Sequence, residues 1–154
     1  MKTTTVQSLW EQYIAENPEF ASLSVPKSLR FGDNEQQADG LAKLVIKDLK
    51  RAISYTLLGL QLRKEGLPKI GDFMVITDAK GDAKCIVRSV AVKLVPYFSI
   101  KPEQAKWECL GDKGIEHWKQ LVWERSAAEL EAFGRKPKES MIMVFQRFEK
   151  VYEP

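Results

Sequence analysis

The residues of this chain able to do chemistry are few, and their spacing narrows what they can do. Cys85 and Cys109 are the only cysteines, and His117 is the only histidine. A structural zinc site typically takes four such ligands at short, regular spacing. No metal site or cofactor is therefore expected, and both thiols read as buried core residues. A lone histidine inside "IEHWK" is too little for a Ser-His-Asp triad. The phosphate loops G-x-x-x-x-G-K-[ST] and G-x-G-x-x-G are absent, as is the G-x-S-x-G elbow. What remains is cationic. In "VIKDLKRAIS", residues 45–54, Lys50 and Arg51 stand where an apolar helical pattern stops. Such a pair either closes the helix electrostatically or faces an anionic ligand.

Charge gives the second reading some weight. The net charge is +3, but it is uneven. Residues 1–40 carry 3 Lys/Arg against 6 Asp/Glu, residues 41–100 carry 11 against 5, and residues 101–154 carry 10 against 10. The middle third would attract an anion such as nucleic acid, although a solvated mixed surface gives the same counts. Hydrophobic residues make up 44% and charged residues 29%, enough apolar surface for a packed core and against disorder. No run approaches the ~18 apolar residues of a membrane span, and "MKTTTVQSLWEQ" lacks a signal peptide's apolar stretch. The expectation is one domain over residues 1–154, cytoplasmic and not membrane-bound.

The elements that must position these residues follow from periodicity. "TVQSLWEQYIAEN" puts Val6, Leu9, Trp10, Tyr13 and Ile14 on one helical face, and Asn17-Pro18 ends it. Residues 18–30 read as irregular chain. "FGDNEQQADGLAKLVIKDLK" predicts a helix capped by Asp33 with Gln36 in a capping box. Ala38, Leu41, Ala42, Val45, Ile46 and Leu49 form its apolar stripe, and Lys50 falls in its last turn. "AISYTLLGL" reads as a strand and "EGLPKIGD" as a loop. "FMVITDAKGDAKCIVRSVAVKLVPYF" is the strongest hairpin signal, turning near Lys80-Gly81-Asp82. A short helix from Pro102 to Trp107, a helix over 114–132 and a final strand in "MIMVFQRFEKVYE" complete the pattern. The parallel βαβαβ rhythm is missing, so the class is α+β: a small, mostly antiparallel barrel with flanking helices.

Several segments carry a resemblance. Trp10, Tyr13 and Asn17-Pro18 match "W-x-x-Y-x-x-x-N-P", and "FGDNEQQADGLAKLV" matches "FGD-x-x-x-x-AD-x-LA-x-LV". "LPKIGD" and "AKWECLGDKGIEHWK" follow in order. Together they resemble the ASCH domain family of the PUA-like superfamily, over nearly the whole chain, with about residues 1–30 as an N-terminal helical extension. The resemblance implies a PUA-like β-barrel with a cleft beside the helix-to-strand junction. It implies RNA or a nucleotide or nucleoside as ligand. It also brings two enzymatic alternatives, a metal-independent ribonuclease and an amidohydrolase on acetylated cytidine.

The resemblance also places the site. The family's junction pattern, roughly "G-x-K-x-A-T", falls on Asp48, Lys50, Ala52 and Ile53. Its "E-G-E-G-D" falls on Glu108 through Asp112, with Leu110 at the second glutamate, and its "W-R" is Trp118-Lys119. Lys50 and Glu108 become the candidate catalytic pair: Glu108 as base and Lys50 or Arg51 as the cation beside a phosphate. Arg51, Ser54, Tyr55, Asp112, Trp118 and Lys119 become candidate ligand contacts. The cations would hold phosphate, and Tyr55, Trp107 or Trp118 would stack a base. Isoleucine has no hydroxyl, so at position 53 the hydrolase reading loses its nucleophile. Ser54, next along a strand, should face the other way. Arg88 and Arg147 lie within strands and read as surface cations.

Overall fold

The hairpin expected from the β-branched run forms in the computed structural model, which describes residues 3–32, 34–108 and 114–154. Strands β3 (Phe73–Thr77) and β4 (Ala83–Pro96) pair antiparallel, with Val75 opposite Ile86 and Ile76 opposite Cys85. Gly81, at φ 85, takes the left-handed turn conformation that a side chain would resist. With β1 (Lys27–Arg30), β2 (Ala52–Thr56) and β5 (Ile142–Tyr152) the strand order is β1-β3-β4-β5-β2. Only β1 against β3 is described as parallel. The class is mixed α+β, a mostly antiparallel sheet with flanking helices.

The described residues cluster into two compact units. The first comprises residues 1–50, 71–89 and 148–154. Its core sets Leu9, Trp10 and Tyr13 of α1 (Val6–Glu16) against Val75, Ala83 and Ile86. The Thr5 hydroxyl caps α1 by accepting the Ser8 N–H at 3.0 Å. Residues 18–30, expected to be irregular, contain a 3-10 turn at Pro18–Phe20 and strand β1. That strand is short and mostly exposed, so no apolar alternation betrays it. Asn34 caps α2 (Glu35–Ile46) by accepting the Gln37 N–H at 2.9 Å. Asp33, the expected cap, lies outside the described residues.

The expectation that Lys50 closes this helix is corrected. The helix ends at Ile46 and the chain reverses at Asp48, which sits at φ 61. The Leu49 N–H bonds back to the Leu44 carbonyl at 2.9 Å and the Asp48 N–H to the Val45 carbonyl at 3.0 Å, a Schellman closure. The reversal leaves Leu49 55% exposed and Lys50 2% exposed, with the Lys50 ammonium 4.9 Å from the centre of the Phe31 ring. Cys85 is buried in this unit, and that burial pushes its thiol up to about 12.

The second unit comprises residues 51–70 and 90–147. Its core joins Tyr97, Ile100 and Met143 to Ala105 of α4 (Pro102–Glu108) and to Trp118 and Val122 of α5 (Ile115–Glu131). The strand expected over "AISYTLLGL" stops at Thr56 and becomes α3 (Leu57–Leu62). Thr56 causes the switch: its hydroxyl accepts the Gly59 N–H at 3.0 Å and caps the helix.

Two further Schellman closures end helices here. Lys64, at φ 59, follows α3, and Gly134, at φ 69, follows α5. A side chain in this conformation costs about 1 kcal/mol. Lys64→Gly is expected to raise stability by about 0.5–1 kcal/mol and Gly134→Ala to lower it by a similar amount, both measured by urea denaturation. Iodoacetamide at pH 8 should leave Cys85 unmodified in the native protein and label it in urea, as peptide mass spectrometry would read.

Candidate functional site

Alternation along β2 puts Ala52, Ser54 and Thr56 on one face of the sheet, and the β5 residues directly opposite them are Arg147, Phe145 and Met143. Ile53 and Tyr55 point to the other face. Two helices serve the first face. Glu108 ends α4, while Trp118 and Arg125 lie two turns apart on one side of α5.

These residues meet around one carboxylate. The Ser54 hydroxyl donates to Glu108, with Oγ 2.8 Å from Oε1 and 2.9 Å from Oε2. The Trp118 indole N–H donates to Oε2. Arg125 Nη2 donates to the Ser54 carbonyl at 2.7 Å and lies 3.8 Å from Glu108 Oε1. Glu108 is 0% exposed and Ser54 2%, but the Arg125 side chain remains 40% exposed. A buried carboxylate is tolerable only when donors and a counter-charge surround it, and here both are present. Arg125 therefore has one guanidinium nitrogen tied to β2 while its side chain keeps contact with solvent.

A second polar set continues along the same strand. The Thr56 hydroxyl donates to Glu129, and Arg63 Nη1 donates to Glu129 Oε2 at 3.0 Å. Trp118, Val122, Arg125 and Glu129 thus form one stripe of α5. A Cβ on Gly59 would come within 2.7 Å of Thr56 Oγ1 and 2.8 Å of the Glu129 carboxyl carbon, so glycine lets these elements approach.

The residues singled out from sequence are distributed as follows. Ser54, Glu108 and Trp118 are brought together. Trp118 is buried in the core, where its N–H is a donor and its ring faces stack on Tyr97 at 6.0 Å between centroids. Arg51 is exposed, and its peptide N–H donates to the Trp107 carbonyl at 2.8 Å. The Tyr55 hydroxyl donates to Gln146 Oε1 at 3.0 Å. Lys119 lines a depression of about 460 Å³ with Tyr97, Phe98, Glu116, Gln120 and Glu139. Lys50 belongs to the first unit. Asp112 and Cys109 lie outside the described residues. Among the described residues no group of His, Cys, Asp and Glu is placed to hold a metal ion, and no helix is long and apolar enough to cross a membrane. Sequence reasoning passed over Arg125. The signal was its seven-residue spacing from Trp118 on the same helix.

The model of the ASCH domain matches residues 27–152. Among solved structures, an ASCH domain from Lactobacillus crispatus has a TM-score of 0.89 at 25% identity, covering 96% of this chain and 94% of that one. A protein from Enterococcus faecalis has a TM-score of 0.87 at 24% identity, covering 95% of this chain and 87% of its own, a likeness of fold. In a comparison with curated proteins, none matches.

Removing the carboxylate strands its donors. Glu108→Ala is expected to destabilise the protein by about 3–5 kcal/mol. Glu108→Gln, which keeps the shape and one acceptor oxygen, should cost less. Urea denaturation checks both, and equal stability of wild type and Glu108→Ala would remove the carboxylate from its structural role.

Proposed function

The chain belongs to the ASCH domain family, and on that premise we propose that it binds RNA or a nucleotide-like ligand on a basic surface beside Ser54, Glu108 and Arg125. In this reading residues 1–154 act as a single ASCH domain, with about the first 30 as a helical extension, in the cytoplasm and off the membrane.

One observation carries the choice of binding over cleavage. A general base needs a lone pair within reach of the substrate. The Glu108 carboxylate is fully buried and engaged by Ser54 and Trp118. It serves as an anchor and leaves the cations to meet the ligand. Arg125, Arg51 and Lys119 keep exposed or part-exposed side chains in the same unit and would contact phosphate. Lys50 and Asp112 enter on the family resemblance alone.

A second reading has its own observation. The Ser54 hydroxyl lies 2.8 Å from a carboxylate oxygen, the relation of a nucleophile to its base. It would restore the hydroxyl missing at Ile53 and support hydrolysis of an acetylated nucleoside. Burial weighs against it, because Ser54 is 2% and Glu108 0% exposed. The ribonuclease reading asks the same exposure of Glu108, with Lys50 as its cation.

One pair of assays separates these readings. End-labelled single-stranded RNA incubated with the protein should stay intact on a denaturing gel and bind in a filter assay. Three phosphate contacts should weaken binding about 20-fold between 50 and 200 mM salt. RNA cleavage abolished by Lys50→Ala or Glu108→Gln would establish the ribonuclease instead. Acetate released from acetylated cytidine by wild type and not by Ser54→Ala would establish the hydrolase.

A further inference from the structure

The loop between α5 and β5 carries the densest run of positive charge in the chain, Arg135-Lys136-Pro137-Lys138. All three cations are exposed. None of their side chains meets a carboxylate or a hydrogen-bond acceptor among the described residues. Arg63, Lys84 and Lys150 each meet a carboxylate within 3.0 Å, and Arg125 lies 3.8 Å from one. A cation at a helix C-terminus is ordinarily explained by the helix dipole, but that effect fades within the last turn. Helix α5 ends at Glu131, so Lys136 and Lys138 lie beyond its reach.

We propose that Arg135, Lys136 and Lys138 hold the phosphate backbone of a single-stranded RNA whose neighbouring nucleotides occupy the candidate site. The ligand is then a polynucleotide and not a free nucleotide. The inference rests on the ligand-binding reading above and extends its surface along α5.

The backbone fixes the tract before a ligand arrives. At one end Gly134 takes φ 69, its N–H donates to the Glu131 carbonyl at 3.0 Å, and the Arg135 N–H donates to the Leu130 carbonyl at 3.1 Å. At the other end the Lys138 carbonyl accepts the Met141 N–H at 3.1 Å, and the Glu139 carbonyl accepts the Phe98 N–H at 3.1 Å. Pro137 stiffens the middle. Cations on a loop tied at both ends lose less freedom on binding than cations on a loose one. Glu139, the nearest carboxylate in sequence, lines the depression beside Tyr97 and Lys119 and pairs with none of the three.

Position links the tract to the site. Arg125, Glu129 and Phe133 follow at four-residue spacing, one row along the helix and the turn that closes it. Phe133 is 39% exposed and offers a ring to a base. From Arg125 to Gly134 the chain rises about 14 Å at the helical pitch. A mononucleotide held at Arg125 does not span that distance, whereas a strand of several nucleotides does. A phosphate at every nucleotide matches three closely spaced cations. The row leading back to Arg125 favours a strand over an anionic bilayer, which would need no contact there.

The test measures binding of a labelled oligouridylate of about 20 residues, longer than a typical single-strand site, and of a labelled dinucleotide. One variant combines Arg135→Gln, Lys136→Gln and Lys138→Gln. A control combines Lys43→Gln, Lys47→Gln and Lys80→Gln, which removes the same charge from exposed residues of the first unit. The tract variant should bind the long RNA about 100-fold more weakly at 0.1 M salt, with a slope of log affinity against log salt shallower by about 2. It should bind the dinucleotide as wild type does, and the control should bind both as wild type does. On wild type alone, the long RNA should protect Lys136 and Lys138 from acetic anhydride and the dinucleotide should not, which stands even where a variant fails to fold. Long-RNA binding unchanged in the tract variant would overturn this inference and leave the binding reading in place. An equal loss in the control would assign the effect to overall charge and overturn it too. So would an equal loss for the dinucleotide, or a wild type that binds the dinucleotide as tightly as the long RNA. Unchanged RNA affinity with lost binding to phosphatidylserine vesicles would overturn it in favour of a membrane. No binding of either RNA by wild type would overturn both readings.

Discussion

A carboxylate with no access to water organises the second unit. Glu108 ends a seven-residue helix that is too short to hold its own shape. The residue is fixed instead by what it accepts: the Ser54 hydroxyl from β2 and the Trp118 indole from α5, with Arg125 close by. The partners come from two other elements, Ser54 from β2 and Trp118 and Arg125 from α5. One buried charge therefore sets the register of α5, the face of β2 and the end of α4 together. Replacing any one partner would leave the others with unmet buried polar groups. The arrangement also decides where cations appear. Arg125 is tied through Nη2 to the Ser54 carbonyl, and its side chain stays 40% exposed.

The same polar logic makes Ser54 ambiguous and explains why burial counts for so much. A hydroxyl beside a carboxylate is both a structural hydrogen bond and the first half of a nucleophilic pair. Distance alone does not separate the two. Exposure does, because a reacting atom must be reached. At 2% and 0% exposure, Ser54 and Glu108 are placed as an anchor.

Much of this was legible in the sequence where a pattern repeats. The i, i+3, i+4, i+7 spacing of Val6, Leu9, Trp10 and Tyr13 marked the first helix, and the β-branched run around Gly81 marked the hairpin. The signals that failed were single residues acting locally. Thr56 turned an apparent strand into a helix by capping Gly59. Asp48 ended a helix that the apolar stripe would have carried on to Leu49. Neither carries a periodic signature. For the site, the resemblance supplied Glu108 and its neighbourhood, while Arg125 and the contact of Arg147 with the Trp107 ring were out of reach. Both depend on which side chains face one another across different elements. A period-2 strand tells that a cation shares a face with Ser54, but not that a tryptophan from a helix lies beneath it.

The departures from the family's junction pattern then have a physical order. At the pattern's glycine stands Asp48, and it still adopts the left-handed conformation that glycine would take without strain. The backbone course into β2 is kept at a modest energetic cost. At the pattern's threonine stands Ile53, on the face opposite Ser54 and only 9% exposed. Its apolar side chain packs without needing a partner, and the Glu108 anchor on the other face is untouched. Position 48 therefore bears on the backbone course, and position 53 on which face of β2 carries a hydroxyl, since Ser54 supplies one on the Glu108 side. A hydroxyl cannot be recovered from an isoleucine, whereas a strained turn can be held by the packing around it.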